Sequence, residues 1–150
     1  MITVATIGYQ AATVSSFLEA LRQGAVELVA DVRAVASSRR PGFAKSRLAA
    51  NLAEAGIGYV HLRGLGTPAE GRAAARAGHY GDMRAIYRDH LATPEARAEL
   101  QELAELVRSG RRVCLLCFEA DPAHCHRTLV AGALGALLPI ELNHLRPADE

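Results

Sequence analysis

Two hydrophobic patterns alternate along the chain. Short, nearly unbroken apolar runs are separated by longer stretches with helical spacing. Ile2 to Ile7, ended by Gly8, and Val26 to Val32 read as buried strands, and Ile57 to Leu62, Val113 to Phe118 and the short Ile140 to Leu145 as further strands. Val26 to Val32 lacks clean alternation, as expected of a strand covered on both faces. Between them, Thr13 caps a helix with Val14, Phe17, Leu18 and Leu21 on its apolar face and Gly24 as its stop. A second helix is predicted from about Lys45 to Ala55, stopping at Gly56, and a third from Asp82 to Leu91. Thr93-Pro94 opens a fourth, whose apolar face is Leu100, Leu103, Leu106 and Val107 and which ends at Ser109-Gly110. Asp121-Pro122 begins a helical segment running to about Leu138. Residues 64–81, rich in Gly, Ala and Arg, show no convincing period and read as a loop or a short helix between hinges.

Strands alternating with helices predict an α/β fold: one three-layer domain over residues 1–150, with a mostly parallel sheet of about five strands, Rossmann-like or flavodoxin-like in outline. A strand order 3-2-1-4-5 is the natural expectation. In that arrangement ligands bind beyond the carboxyl ends of the strands, where the chain reverses direction. Gly8, Tyr9, Cys117 and Glu119 then lie together, with Asp31 and Arg33 ending the adjacent strand.

Composition narrows the chemistry. The 150 residues are half hydrophobic and carry a net charge of +1, so bulk attraction to nucleic acid or to a membrane is not indicated. The amino terminus lacks a secretory signal, and Leu129 to Ile140, broken by two glycines and a proline, is too short to span a bilayer. Three cysteines make a poor disulfide framework, and reduced thiols in the cytoplasm are expected. A homodimer is compatible with all of this.

Cys114-Leu-Leu-Cys117 is not a redox pair by this reading, because residues three apart on a strand face opposite sides. Cys117 and Glu119 share a face at the strand end. Cys125, placed in a helical turn with His126 and Arg127, has surroundings that favour a thiolate. Cys117 or Cys125 as nucleophile, with Glu119 or His126 as acid/base and Arg127 beside them, is one reading. Inert packing of the sulfurs, with Glu119 anchoring Arg127, is the other. Zinc spacing is absent and adjacent Cys125 and His126 are hard to aim at one ion, so no metal is assigned. No G-x-G-x-x-G or P-loop occurs, so no cofactor is assigned either.

Between Asp31 and Arg47 five basic residues face one acid. Arg33, Arg39 and Lys45 are candidates for holding a small anion such as a phosphate or a nucleotide. Tyr80 and Tyr9 offer hydroxyls near the same place.

Thr6-Ile-Gly8, Asp31-Val-Arg33, Ser38-Arg39 with Pro41-Gly-Phe43, His61-Leu62 before Gly64-Leu-Gly66, and Cys117-x-Glu119…Cys125-His-Arg127 resemble, in that order and over nearly the whole chain, a bacterial and archaeal family, domain of unknown function 488. The resemblance implies a compact α/β fold with these positions clustered in one site, and no particular reaction. Tyr9 stands where the family commonly has His, and Thr67 where it commonly has Gly, so a reaction using that His is not shared here. Two functions compete: an enzyme acting on an anionic ligand, and a nucleic-acid or nucleotide binding module without catalysis. Few aromatic residues are present for a base-stacking platform.

Overall fold

A computed structural model describes residues 1–148. Five strands form one all-parallel sheet: β1 (Ile2–Gly8), β2 (Leu28–Asp31), β3 (Gly58–His61), β4 (Val113–Cys117) and β5 (Ile140–Leu145). Six α-helices connect them: α1 (Val14–Gln23), α2 (Lys45–Glu54), α3 (Ala69–Arg76), α4 (Tyr80–Leu91), α5 (Pro94–Arg108) and α6 (Arg127–Gly135). The α/β expectation therefore holds.

The predicted caps are in place. Thr13 Oγ1 accepts the Ser16 amide while the Ser16 hydroxyl accepts the Thr13 amide, closing a reciprocal box at the start of α1. Thr93 Oγ1 likewise takes the Ala96 amide, with Pro94 at the first helical position of α5.

Alternate residues of the buried strands feed two cores. Ile7, Val29, Cys114 and Leu116 pack against Phe17 and Leu21 of α1 and Leu48 and Leu52 of α2. On the opposite face Val4, Ala30, Val113 and Leu115 pack against Tyr87 of α4, Leu103 and Val107 of α5 and Val130 and Leu134 of α6. Helices thus cover both faces of the central strands, as the unalternating run of β2 requires, while edge strand β5 is mostly exposed. No helix is long and apolar enough to cross a membrane among the described residues.

Two expectations are corrected and one open reading is decided. The strand order is β3-β2-β4-β1-β5, with the first and fourth strands exchanged. Both are buried throughout their carboxyl halves, so hydrophobicity alone could not say which lay more centrally. The reversal survives the exchange: β1 leads across β4 to β2, and β4 leads across β1 to β5. Gly8 and Cys117 are direct register partners at that point. Second, of the two readings of residues 64–81 the short helix holds: α3 lies between a 3-10 turn at Arg63–Leu65 and the start of α4.

Third, the segment after Asp121 is not one continuous helix. A 3-10 turn, Pro122–His124, is followed by an extended residue, Cys125 (φ −130°, ψ 145°), and α6 opens only at Arg127. Cys125 therefore lies before the helix rather than within a turn of it, which sets where its sulfur points.

Candidate functional site

The site is assembled from the carboxyl ends of β1, β2 and β4 and from the break before α6. Because Cys125 is extended, its side chain turns back towards the end of β4. There its sulfur and that of Cys117 are joined Sγ to Sγ. The expectation of three reduced thiols thus fails for this pair, while Cys114 is free and buried on the other face of the sheet. The Cys114–Cys117 pairing excluded by strand parity is indeed absent. Cys117 found its partner across the fold instead.

Arg127 is wholly buried behind these sulfurs. Its NH1 donates to Cys117 Sγ at 3.0 Å and to the Glu119 carbonyl at 2.5 Å, its NH2 to the Ala120 carbonyl at 3.3 Å, and its backbone N–H to Cys125 Sγ at 3.4 Å. One residue thus supplies an N–H to each sulfur and pins the loop after β4. Burial draws its guanidinium pKa down to about 10, so it is charged at neutral pH.

His126 is buried too. Its Nε2 lies 2.6 Å from the Val32 carbonyl. A carbonyl only accepts, so Nε2 carries the hydrogen and Nδ1 presents its lone pair. That lone pair faces Cys125 Sγ at 3.8 Å. Burial pushes the ring pKa down to about 4, which keeps the imidazole neutral. Contrary to expectation, the adjacent side chains of Cys125 and His126 do point to one place. Cys117 Sγ, Cys125 Sγ and His126 Nδ1 all lie within 4.8 Å of one another. Glu119 Oε2 is 3.7 Å from Cys117 Sγ, and desolvation raises the carboxyl pKa above its usual value.

Asp31 and Arg33 form a second buried cluster. Arg33 makes a bidentate pair with the Asp31 carboxylate (2.9 and 2.7 Å), and its NH1 also donates to the Tyr9 hydroxyl (3.1 Å) and the Phe43 carbonyl (2.8 Å). Burial disfavours the charged guanidinium, but Asp31 and Tyr9 outweigh it and hold Arg33 above its ordinary pKa. Tyr59 donates at 2.6 Å to Asp31 Oδ2, the oxygen that also accepts from Arg33 NH2. Four of the five Arg33 donors are spent inside the protein. Tyr9 is buried and stacked on Phe43 at 4.5 Å, so at this position the ring serves as a brace for Arg33.

A cleft of about 310 Å³ opens above both clusters. Cys117, Glu119, His126 and Arg33 form its floor, and Arg39 and Arg72 stand on its walls. It adjoins a second lobe of about 450 Å³ reaching Tyr80, His124 and Cys125, with Thr67, Arg72, Phe118, Glu119 and His126 common to the two. Together they have the size of a small-molecule pocket. Tyr80 stacks on the His124 ring at 4.1 Å. Arg39 has no hydrogen-bond or ion-pair partner among the described residues, and Arg72 spends one donor on the Thr67 carbonyl, at 2.8 Å. Lys45, exposed at the start of α2, lines neither lobe.

Sequence reasoning brought Gly8, Cys117, Glu119, Cys125, His126 and Arg127 to one place, and the structure joins them. It missed Arg72 and Thr67, which lie where no hydrophobic period was visible. It also missed that Arg33 is an internal partner of Asp31, although residues two apart on a strand share a face.

No curated protein and no solved structure matches the chain. A family model matches residues 13–134, from the cap of α1 to the last turn of α6, and on that match the chain belongs to the family described as domain of unknown function DUF488.

Proposed function

We propose that this protein is an enzyme acting on a small anionic substrate of the phosphate or nucleotide type. The observation that carries this reading is the arrangement of the cleft. Two arginines with unspent donors, Arg39 and Arg72, stand over a floor made of sulfur, imidazole and carboxyl groups. An arginine with free N–H groups offers a planar fork for an oxyanion. Glu119, shared by both lobes, is the carboxyl group positioned to give or take a proton at a ligand held there. The Cys117–Cys125–His126 cluster is the reacting centre beneath it. Arg33 and Arg127 support the floor from within, where their donors meet Asp31, Tyr9 and main-chain carbonyls.

Isothermal titration with inorganic phosphate and with nucleoside monophosphates tests this on wild type, Arg39→Ala and Arg72→Ala. Loss of a charge-assisted pair is expected to weaken binding by roughly tenfold or more. Binding by wild type that neither substitution weakens, or no binding at all, overturns the reading. Affinity for polynucleotide that falls steeply with salt would favour a nucleic-acid binding module instead.

A further inference from the structure

We propose that, with both cysteines reduced, Cys117, Cys125 and His126 bind one thiophilic divalent cation, zinc by preference, whose remaining coordination position opens to the cleft beside Glu119. The three donor atoms come from one strand end and two consecutive residues, all buried, and already lie within 4.8 Å of one another. Zinc bonds of about 2.3 Å to sulfur and 2.0–2.1 Å to nitrogen put tetrahedral donors some 3.5–3.8 Å apart. His126 Nδ1 and Cys125 Sγ are 3.8 Å apart as they stand. The Cα atoms of Cys117 and Cys125 are separated by 7.2 Å. That is wider than the roughly 4.4–6.8 Å usual across a disulfide and leaves the sulfurs room to part around an ion.

The surroundings are those of a metal centre in three further respects. The Nε2–H of His126 is tied to the Val32 carbonyl at 2.6 Å, the outer bond by which a ligating histidine is oriented and its other nitrogen left bare. Each sulfur accepts an N–H from Arg127, one from the guanidinium and one from the backbone, as thiolates do. Arg127 itself is fully buried, and among the described residues its guanidinium makes no hydrogen bond to a carboxylate, only to two carbonyls and the Cys117 sulfur. A buried guanidinium needs an anion near it, and a thiolate at Cys117 provides one where a disulfide does not. The two thiolates then offset the dication, and the Cys117 sulfur keeps its contact with Arg127. Binding releases the two thiol protons to solvent and involves no change of oxidation state.

The inference goes beyond the anion reading and does not depend on it, since the metal is tested with no phosphate present. The full chain, reduced with a phosphine and freed of chelator, is dialysed against zinc and then against metal-free buffer. One zinc per chain is expected by mass spectrometry of the metal. Cobalt(II) in its place should give a sulfur-to-metal charge-transfer band in the near ultraviolet and the intense visible bands of a tetrahedral site. Cys117→Ser and Cys125→Ser should abolish the charge-transfer band or halve it, His126→Gln should weaken retention by at least tenfold, and Cys114→Ala should change neither. Reduced wild type that retains no zinc, or cobalt without a charge-transfer band, overturns the proposal. Should the cysteine variants fail to fold, alkylation of wild type decides. Zinc is expected to protect Cys117 and Cys125 and a chelator to expose them, and labelling indifferent to zinc overturns the site.

Discussion

The Cβ that Gly8 lacks would fall on the carbonyl oxygen of Glu119. The next side-chain atom it would meet is Arg127 NH1, at 3.0 Å. The end of β1 and the loop after β4 are thus in backbone contact, and the same carbonyl is the one Arg127 holds. Gly66 stands in a similar relation to the backbone of Ala34, just beyond the end of β2. Both glycines are required by space rather than by a positive φ.

Gly8→Ala is therefore expected to push the 118–121 loop away and break the bond from Arg127 to Glu119. Overpacking against unyielding backbone costs about 1–3 kcal/mol or more. A control makes the reasoning specific: Gly132, in the exposed part of α6, meets nothing within 4 Å. Gly132→Ala should stabilise the protein by up to about 1 kcal/mol through helix propensity. Urea denaturation of both variants checks the two signs. Equal effects would show that the close approach at Gly8 does not constrain the loop.

Asp31 and Arg33 yield a prediction that separates structural from binding arginines. Removing one partner of a buried ion pair leaves an uncompensated charge and costs about 3–5 kcal/mol. Asp31→Asn and Arg33→Ala should thus lower stability severely, as read by chemical denaturation. Arg39→Ala, at an exposed position, should stay within about 0.5 kcal/mol of wild type while losing anion affinity. An Arg33→Ala protein as stable as wild type would return Arg33 to the ligand.

These cases also show what was legible in the chain. Caps at Thr13 and Thr93 and the buried runs marked the helices and strands correctly because local chemistry fixes them. The site cluster followed from the fact that Gly8, Asp31, Cys117 and Glu119 all end strands or lie just beyond them, so a parallel sheet had to bring them to one pole. Helix α3 could not be told from a loop because Gly71 is its one buried residue, so it leaves no apolar stripe, and Arg72 was not placed at the site. The meeting of Cys117 with Cys125 depended on a single extended residue between two short helical pieces, which no periodicity encodes. The exchange of β1 and β4 was hidden because both are buried through their carboxyl halves.

Glu99 provides a pH test away from the cleft. Burial raises its carboxyl pKa, the Gly64 and Leu65 amides act against that, and Glu95 and Glu102 add repulsion. One oxygen, Oε2, is buried without a hydrogen-bond partner. A carboxyl with a folded pKa above its unfolded value destabilises the fold when ionised. The penalty is present above the folded pKa and disappears as pH falls through it towards the unfolded value. Glu99→Gln, which keeps an acceptor for the two amides, should melt above wild type at about pH 8. The gap should close near pH 4. A gap that persists in acid would assign the effect to shape rather than charge.

Cys114 offers a clock for the whole fold. It is fully buried in the face of the sheet covered by α1 and α2, and burial pushes its thiol far above the ordinary range. No local motion at the cleft uncovers it, since Val29 and Ala5 flank it in register on the neighbouring strands. In the reduced native protein, alkylation of Cys114 therefore has to wait for global unfolding. Its rate should fall below that of an exposed thiol by the unfolding equilibrium, a factor of about 10³ or more for a stable domain. It should rise with sub-denaturing urea along the slope of the global transition. Cys117 and Cys125, which line the cleft, should label through local opening and show little urea dependence. Site-resolved mass spectrometry over a urea series distinguishes the two regimes. Rapid labelling of Cys114 without urea, or a urea slope shared by all three thiols, would mean that β4 does not hold the central, doubly covered position that places Cys117 and Glu119 at the cleft.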